Sequence, residues 1–135
     1  MPIRYTFELG ATFPLHQPGA LRRSLLAHAP EEEQERIIEQ AMRLDPQFRP
    51  QKAALRRELE AIRQRGYAES EAEITPDLWG VSVPIMRGKN ADAALVTLVP
   101  AYRINAVDKS RLRSAVRAAA KEISDQLYDY SVLER

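Results

Sequence analysis

The stretch GVSVPIMRGKNADAALVTLV, residues 80–99, decides the fold. It opens with alternation: Val81, Val83 and Ile85 on one side, Ser82, Pro84 and Met86 on the other. A side-chain period of two belongs to a half-buried strand. Residues 87–92 hold Gly88 and Asn90 and read as a hairpin loop. Residues 93–99, Ala-Ala-Leu-Val-Thr-Leu-Val, are apolar on both faces, which predicts a central strand covered on both sides.

The pattern changes to a helical period on either side of this hairpin. Downstream, Leu112, Val116, Ala120, Ile123 and Leu127 mark the buried side of a helix over residues 108–127. The tail from Tyr128 onward is expected to fray. Upstream, residues 69–78 form a polar loop with Pro76, and residues 67–70 allow a short strand. Before that, Leu55, Leu59 and Ile62 share one face of a helix over 51–65, with Gly66 placed to cap it. Pro30 opens another helix, and Glu31, Glu32 and Glu33 favour the positive end of its dipole. Its apolar stripe is Ile37, Ile38, Ala41 and Met42, and the pairs Asp45-Pro46 and Arg49-Pro50 break it. A short helix over 20–27 carries Leu21, Leu25 and Leu26, after a loop over 13–19 rich in proline and glycine. Residues 3–9 alternate Ile3, Tyr5, Phe7 and Leu9 with polar side chains, a further strand.

The order is strand, helices, strands, helix, without internal repeat or linker. It predicts an α+β domain, an antiparallel sheet flanked by helices. Three or four strands make a small sheet with unpaired edges, which isolated domains tend to cover. The domain therefore reads as incomplete, lacking its first strands, or as completed by a second chain.

Bulk properties narrow the function. The chain has 135 residues, enough for one domain with one core. Its 20 basic and 19 acidic side chains leave a formal charge of +1, against the basic excess of a nucleic-acid binder. There is no cysteine, hence no disulfide, thiolate nucleophile or cysteine-zinc site. No signal-like N-terminus and no run of roughly 20 apolar residues is present, so a cytoplasmic protein without a membrane partner is expected.

Few residues suggest chemistry. Glu31, Glu32 and Glu33 are consecutive on a helix and cannot converge on one ion. His16 lies in a loop and His28 near a helix end, without the pairing of a zinc-protease helix. His16 is a candidate ligand contact, whereas His28 reads as surface. Arg22 and Arg23 are either a solvated pair or guanidinium partners for a carboxylate near a helix start. The helix over 51–65 interleaves basic residues with Glu58 and Glu60, a mixed exposed face. Trp79 is placed in a loop, as a ligand wall or a small satellite core. No serine-histidine-acid order, glycine-rich phosphate loop or metal spacing occurs, so no cofactor, metal or catalytic residue is expected. An enzyme reading would rest on Ser70, Ser82 and His16 alone.

Several segments, in order, resemble the effector domain of IclR-type bacterial transcriptional regulators. Residues 10–16, Gly-Ala-Thr-Phe-Pro-Leu-His, resemble the family's entry to its pocket. Ala20-Leu21 with Ser24-Leu25-Leu26-Ala27 resembles the helix after it, and Pro30 to Glu33 the next helix start. Arg65-Gly66-Tyr67-Ala68 through Glu73, then Val83-Pro84-Ile85, Pro100, Arg103 and residues 119–124 complete a match over nearly the whole chain.

The resemblance implies a GAF/profilin-like sensory fold that binds a small metabolite, often an organic or aromatic acid, and forms a dimer or tetramer. Operator DNA would be bound only through a winged helix-turn-helix domain that would precede this segment. Residues 1–135 then form a single, N-terminally truncated effector domain. Carried over position by position, the ligand-binding residues are Leu15, His16, Leu21, Arg22, Arg23, Ser70, Leu78, Gly80, Val96 and Leu98.

The departures from the family pattern shape the expected ligand. Val96 and Leu98 stand where members often carry two serines. Gly80 replaces a small polar residue or cysteine, and Ser70 a common acidic one. Leu21 or Arg22 replaces a helix-start glycine, while Leu78 keeps its type. Losing two hydroxyls would leave a buried carboxylate short of partners, at a cost of several kcal/mol. The expected effector is therefore larger or more apolar than a small keto acid, with Arg22 or Arg23 taking any carboxylate. The alternative is an oligomerisation module whose pocket is filled by its own side chains.

Overall fold

The structure is a computed structural model that describes Leu9, Leu15, residues 19–72 and residues 77–128. Residues 3–8 of the expected strand, His16 and the tail after Tyr128 lie outside the described residues, and Leu9, expected to end that strand, is a fully exposed turn residue. The elements run α1 (Ala20–Ala27), α2 (Glu31–Leu44), α3 (Lys52–Arg65), β1 (Ala68–Glu71), β2 (Leu78–Arg87), β3 (Asn90–Pro100) and α4 (Ala106–Tyr128). Short 3-10 turns over Pro46–Gln51 and Ala101–Arg103 join α2 to α3 and β3 to α4. The expected α+β architecture holds, with an antiparallel sheet between two helical layers.

Local chemistry places most helix ends. Pro30 precedes α2, and the three glutamates occupy its first turn, where the dipole favours them. Prolines 46 and 50 lack the N–H that an α-helix needs, and the chain tightens into a 3-10 turn there. Gly66 ends α3 at φ 85°, and its N–H donates to the Ile62 carbonyl at 2.8 Å. A left-handed residue closes that turn, and only glycine adopts it without strain from a β-carbon.

The described strands are ordered β1-β2-β3, antiparallel throughout. β1 pairs only with Trp79–Ser82 of β2, from Glu71↔Trp79 to Ala68↔Ser82. β3 pairs along all of β2, from Leu78↔Pro100 to Arg87↔Asn90. The turn is thus Gly88-Lys89, tighter than the loop expected over 87–92, and Trp79 belongs to a strand instead of a loop.

The two strands of the hairpin exchange their expected places. β2, read as half-buried, is the central strand and is buried from Leu78 to Ile85. β3, read as central, has one strand neighbour among the described residues and is mostly half-buried. The cause lies in Ser82 and Pro84, whose side of β2 looked solvent-facing. That side is covered by α1, and the Ser82 hydroxyl is satisfied there instead of by water.

One face of the sheet packs on α4. Trp79, Val81 and Val83 meet Val116 and Ala120, with Leu95, Val99 and Leu112 at the margin. Burial of each such large side chain contributes about 1.5–3 kcal/mol. Leu127, expected on this seam, is 61% exposed, because α4 extends past the sheet there. The other face packs on α1. Behind α1, Leu26, Ile38, Leu55, Leu59 and Ile62 join the first three helices into one core that reaches Ala68 of β1. Among the described residues, no helix is long and apolar enough to cross a membrane.

Candidate functional site

Side chains in register on adjacent strands point to the same face, so the pairing gathers candidate residues into rows. Ser70, Gly80 and Leu98 form one row across all three strands. The next row toward the hairpin is Ala68, Ser82 and Val96, and Leu78 flanks the first row on the other side. Five candidates therefore share the sheet face that α1 covers.

The middle of the first row is closely filled. A β-carbon at Gly80 would lie 2.7 Å from Cδ2 of Leu98 and 3.1 Å from Oγ of Ser70. Real β-carbons do not approach so closely, so Leu98 uses the space that any larger residue at position 80 would need. Leu98 and Gly80 thus act as a matched pair, one large and one absent side chain.

α1 brings Leu21, Arg22 and Arg23 to the same side of the sheet. Leu21 and Arg22 are half-buried. Arg23 is 8% exposed, and its Nε lies 3.9 Å from Oε1 of Glu58 on α3. This arginine therefore reaches toward the helical layer. Leu15 is placed apart from the rows. It lines a cavity of about 470 Å³ at the hairpin end, with Leu25, Ala29, Glu33, Asn90 and Ala91 among its neighbours.

Two polar residues of this region were not singled out as ligand contacts. The hydroxyls of Ser24 on α1 and Ser82 on β2 meet at 2.7 Å, both fully buried. Ser24 Oγ also donates to the Leu21 carbonyl at 3.1 Å. No sequence signal marks Ser24, since its partner lies 58 residues away. With its hydroxyl engaged by Ser24, Ser82 makes a poor nucleophile, which removes one support of the enzyme reading.

His28, read as surface, is 3% exposed. It follows α1, and its Nδ1 lies 2.9 Å from the Ser24 carbonyl oxygen. A carbonyl only accepts, so the proton is on Nδ1 and Nε2 is left as an acceptor in the neutral ring. Burial pushes the pKa of His28 below its ordinary value; the Ser24 bond opposes this and the nearby Arg63 guanidinium adds to it. Trp79 is also settled: it is 1% exposed in the core beneath α4, on the sheet face opposite the rows. Among the described residues, no cluster of three or more histidines or carboxylates is placed to hold a metal.

Comparison with known proteins gives this geometry a context. The family model described as "Bacterial transcriptional regulator IclR C-terminal" matches residues 2–125. The HTH-type transcriptional regulator BhcR of Paracoccus denitrificans is 33% identical over 126 residues, which are 90% of this chain and 44% of BhcR. The chain thus spans less than half the length of this curated relative. The crystal structure of the C-terminal domain of a transcriptional regulator from Vibrio cholerae is 34% identical with a TM-score of 0.69, over 88% of this chain and 69% of that one. An IclR homolog from Microbacterium hydrocarbonoxydans, solved in complex with 4-hydroxybenzoate, is 26% identical with a TM-score of 0.69, over 93% of this chain and 50% of that one.

Proposed function

Because the chain belongs to the IclR family of bacterial transcriptional regulators, as their C-terminal domain, we propose that it senses a small organic acid for such a regulator. The family is one of regulators and not of enzymes, so the site binds and does not transform. The sensing site is the sheet face under α1, with Leu21, Arg22, Ser70, Leu78, Gly80, Val96 and Leu98 as its contacts; Leu15, His16 and Arg23 are carried over from the family resemblance alone. The effector is aromatic or otherwise apolar in body, and Arg22 or Arg23 takes its carboxylate. Occupancy is passed to operator DNA through the assembly, a homodimer or tetramer, and through a DNA-binding part of the full regulator.

The observation that carries this reading is the row Ser70–Gly80–Leu98 beneath α1. It sets the Ser70 hydroxyl beside an apolar wall, the Leu98 side chain lying over Gly80, a lining that suits an apolar ring better than a small keto acid. The 4-hydroxybenzoate complex of the Microbacterium homolog supports an aromatic acid.

A second reading has its own observation. Leu98 already fills the space over Gly80, as expected of a domain that keeps the fold for assembly and has lost sensing. Thermal shifts against 4-hydroxybenzoate, benzoate, glyoxylate and pyruvate separate the two. A ligand of the folded state at a hundred times its Kd adds about 2.7 kcal/mol of stability. Sensing predicts such a gain with an aromatic acid, lost in Arg22→Ala or Val96→Ser. Micromolar binding of glyoxylate or pyruvate overturns the apolar effector. No gain with any acid, in a chain that self-associates, favours the assembly module.

A further inference from the structure

A second cavity lies further along β2 toward the hairpin, and the fold explains why it exists. β1 ends its pairing at Ser82, so Val83–Met86 have no strand neighbour on that side among the described residues. The notch is closed instead by the C-terminal ends of α1 and α3 and by the C-terminal half of α4. Its volume is about 830 Å³, within the range of small-ligand sites, roughly 300–1,000 Å³.

The notch does not invite another strand. Pro84 has no N–H to donate, and the Met86 carbonyl already accepts the Ser124 hydroxyl of α4. An edge so blocked is protected against strand addition. What remains is a concave surface with an apolar floor of Val83, Pro84 and Ala120.

Charge then selects the occupant. Arg63, Lys89, Arg117 and Lys121 line the cavity against one carboxylate, Asp125. Asp125 is engaged by Lys121, whose Nζ lies 2.6 Å from its Oδ2. Arg63 is held by backbone oxygens, with Nη1 3.3 Å from the Ala27 carbonyl and Nη2 2.9 Å from that of Lys89. Arg117 lies over the Tyr67 ring, 5.3 Å from its centroid. Carbonyls and a ring orient these guanidinium groups without neutralising them. The buried His28 also lines the cavity, and with Nδ1 committed to Ser24 it offers only Nε2. Such a concentration of positive charge stands out on a chain whose formal charge is +1.

We propose that this cavity is a second ligand site, separate from the row under α1, and that it takes a small organic anion with an apolar body, such as an aryl carboxylate. The ring lies on the floor of Val83, Pro84 and Ala120, and the carboxylate is balanced by the excess of the four cations over Asp125. Because Arg63 and His28 tie the ends of α1 and α3 to the cavity, ligand uptake stiffens the junction between the helical layer and the hairpin.

The test uses His28 as its reporter. His16→Gln leaves a single histidine, whose ring signals are followed by proton NMR during titration with sodium benzoate at constant ionic strength. Saturable shifts of His28 are expected, with acetate much weaker because it has no apolar body. Arg117→Gln with Lys121→Gln, both at exposed positions, weakens benzoate binding about tenfold or more. Leu98→Ala, which alters the row under α1, leaves the His28 titration unchanged. The proposal falls if benzoate does not move His28, or if the double variant binds as tightly as the parent. It falls equally if acetate matches benzoate, or if Leu98→Ala abolishes the shift.

Discussion

Ser24 and Ser82 share a hydrogen bond of 2.7 Å at the centre of the contact between α1 and β2. Each hydroxyl is shut off from water, so each depends on the other, and Ser24 also uses the Leu21 carbonyl. A buried hydroxyl deprived of its partner costs about 1–3 kcal/mol, whereas removing both can be nearly neutral. Ser82→Ala is therefore expected to destabilise the chain by about 1 kcal/mol, the Leu21 carbonyl still holding Ser24. The double variant Ser24→Ala with Ser82→Ala should cost less than the sum of the two single changes. Urea unfolding of the four proteins measures this, and simple additivity would mean that the two hydroxyls do not cooperate.

The pairing of Gly80 with Leu98 makes a sharper prediction. Gly80→Ala forces a β-carbon into Leu98, and overpacking of this kind costs about 1–3 kcal/mol. Leu98→Ala alone removes apolar contact and is also destabilising. Combined, the two changes restore one β-carbon where one side chain was shortened, so the double variant should be more stable than the sum predicts. Chemical denaturation of the cycle decides it, and a sum without recovery would mean that Leu98 swings aside freely.

These two pairs also mark how far the sequence alone was legible. The helices were readable because each carries its own signal: Pro30 with three glutamates, Leu55-Leu59-Ile62, and Gly66 as a stop. The rows were readable in part, since period-two alternation alone puts Val96 with Leu98 and Ser70 with Ala68 on one face. Which strand is central was not readable. That depends on what covers the Ser82 side of β2, and the answer is a serine far away in the chain. His28 was misread for the same reason. A lone histidine after a short helix has no local pattern that reveals a cavity assembled from α3, α4 and the hairpin around it.

Gly66 tests the local side of this reading. At φ 85°, alanine would pay for a left-handed conformation with about 1 kcal/mol. Nothing crowds the position, since the nearest atom to an added β-carbon, an Nη of Arg117, is 3.8 Å away. Gly66→Ala should therefore lower stability by about that amount, while Gly66→Asn, which tolerates this region better, loses less. Equal losses in thermal unfolding of both variants would point to a steric cause instead.

His28 gives the pH dependence. Its pKa in the folded chain lies below the ordinary value of 6.5, chiefly through burial. The unfolded chain therefore binds the proton more readily than the folded one. Stability from this residue is complete above pH 6.5 and declines as pH falls toward the lower folded value. Between those limits the unfolded state carries more protons, so stability must rise with pH. His28→Gln removes the titration, and its stability should follow a flatter course between about pH 5 and 7, even if it starts lower through lost packing. The comparison is of slopes, which a uniform loss does not affect. Parallel pH profiles in the parent and His28→Gln would mean that His28 titrates alike in both states, and that its burial beneath the cavity is too loose to resist a proton.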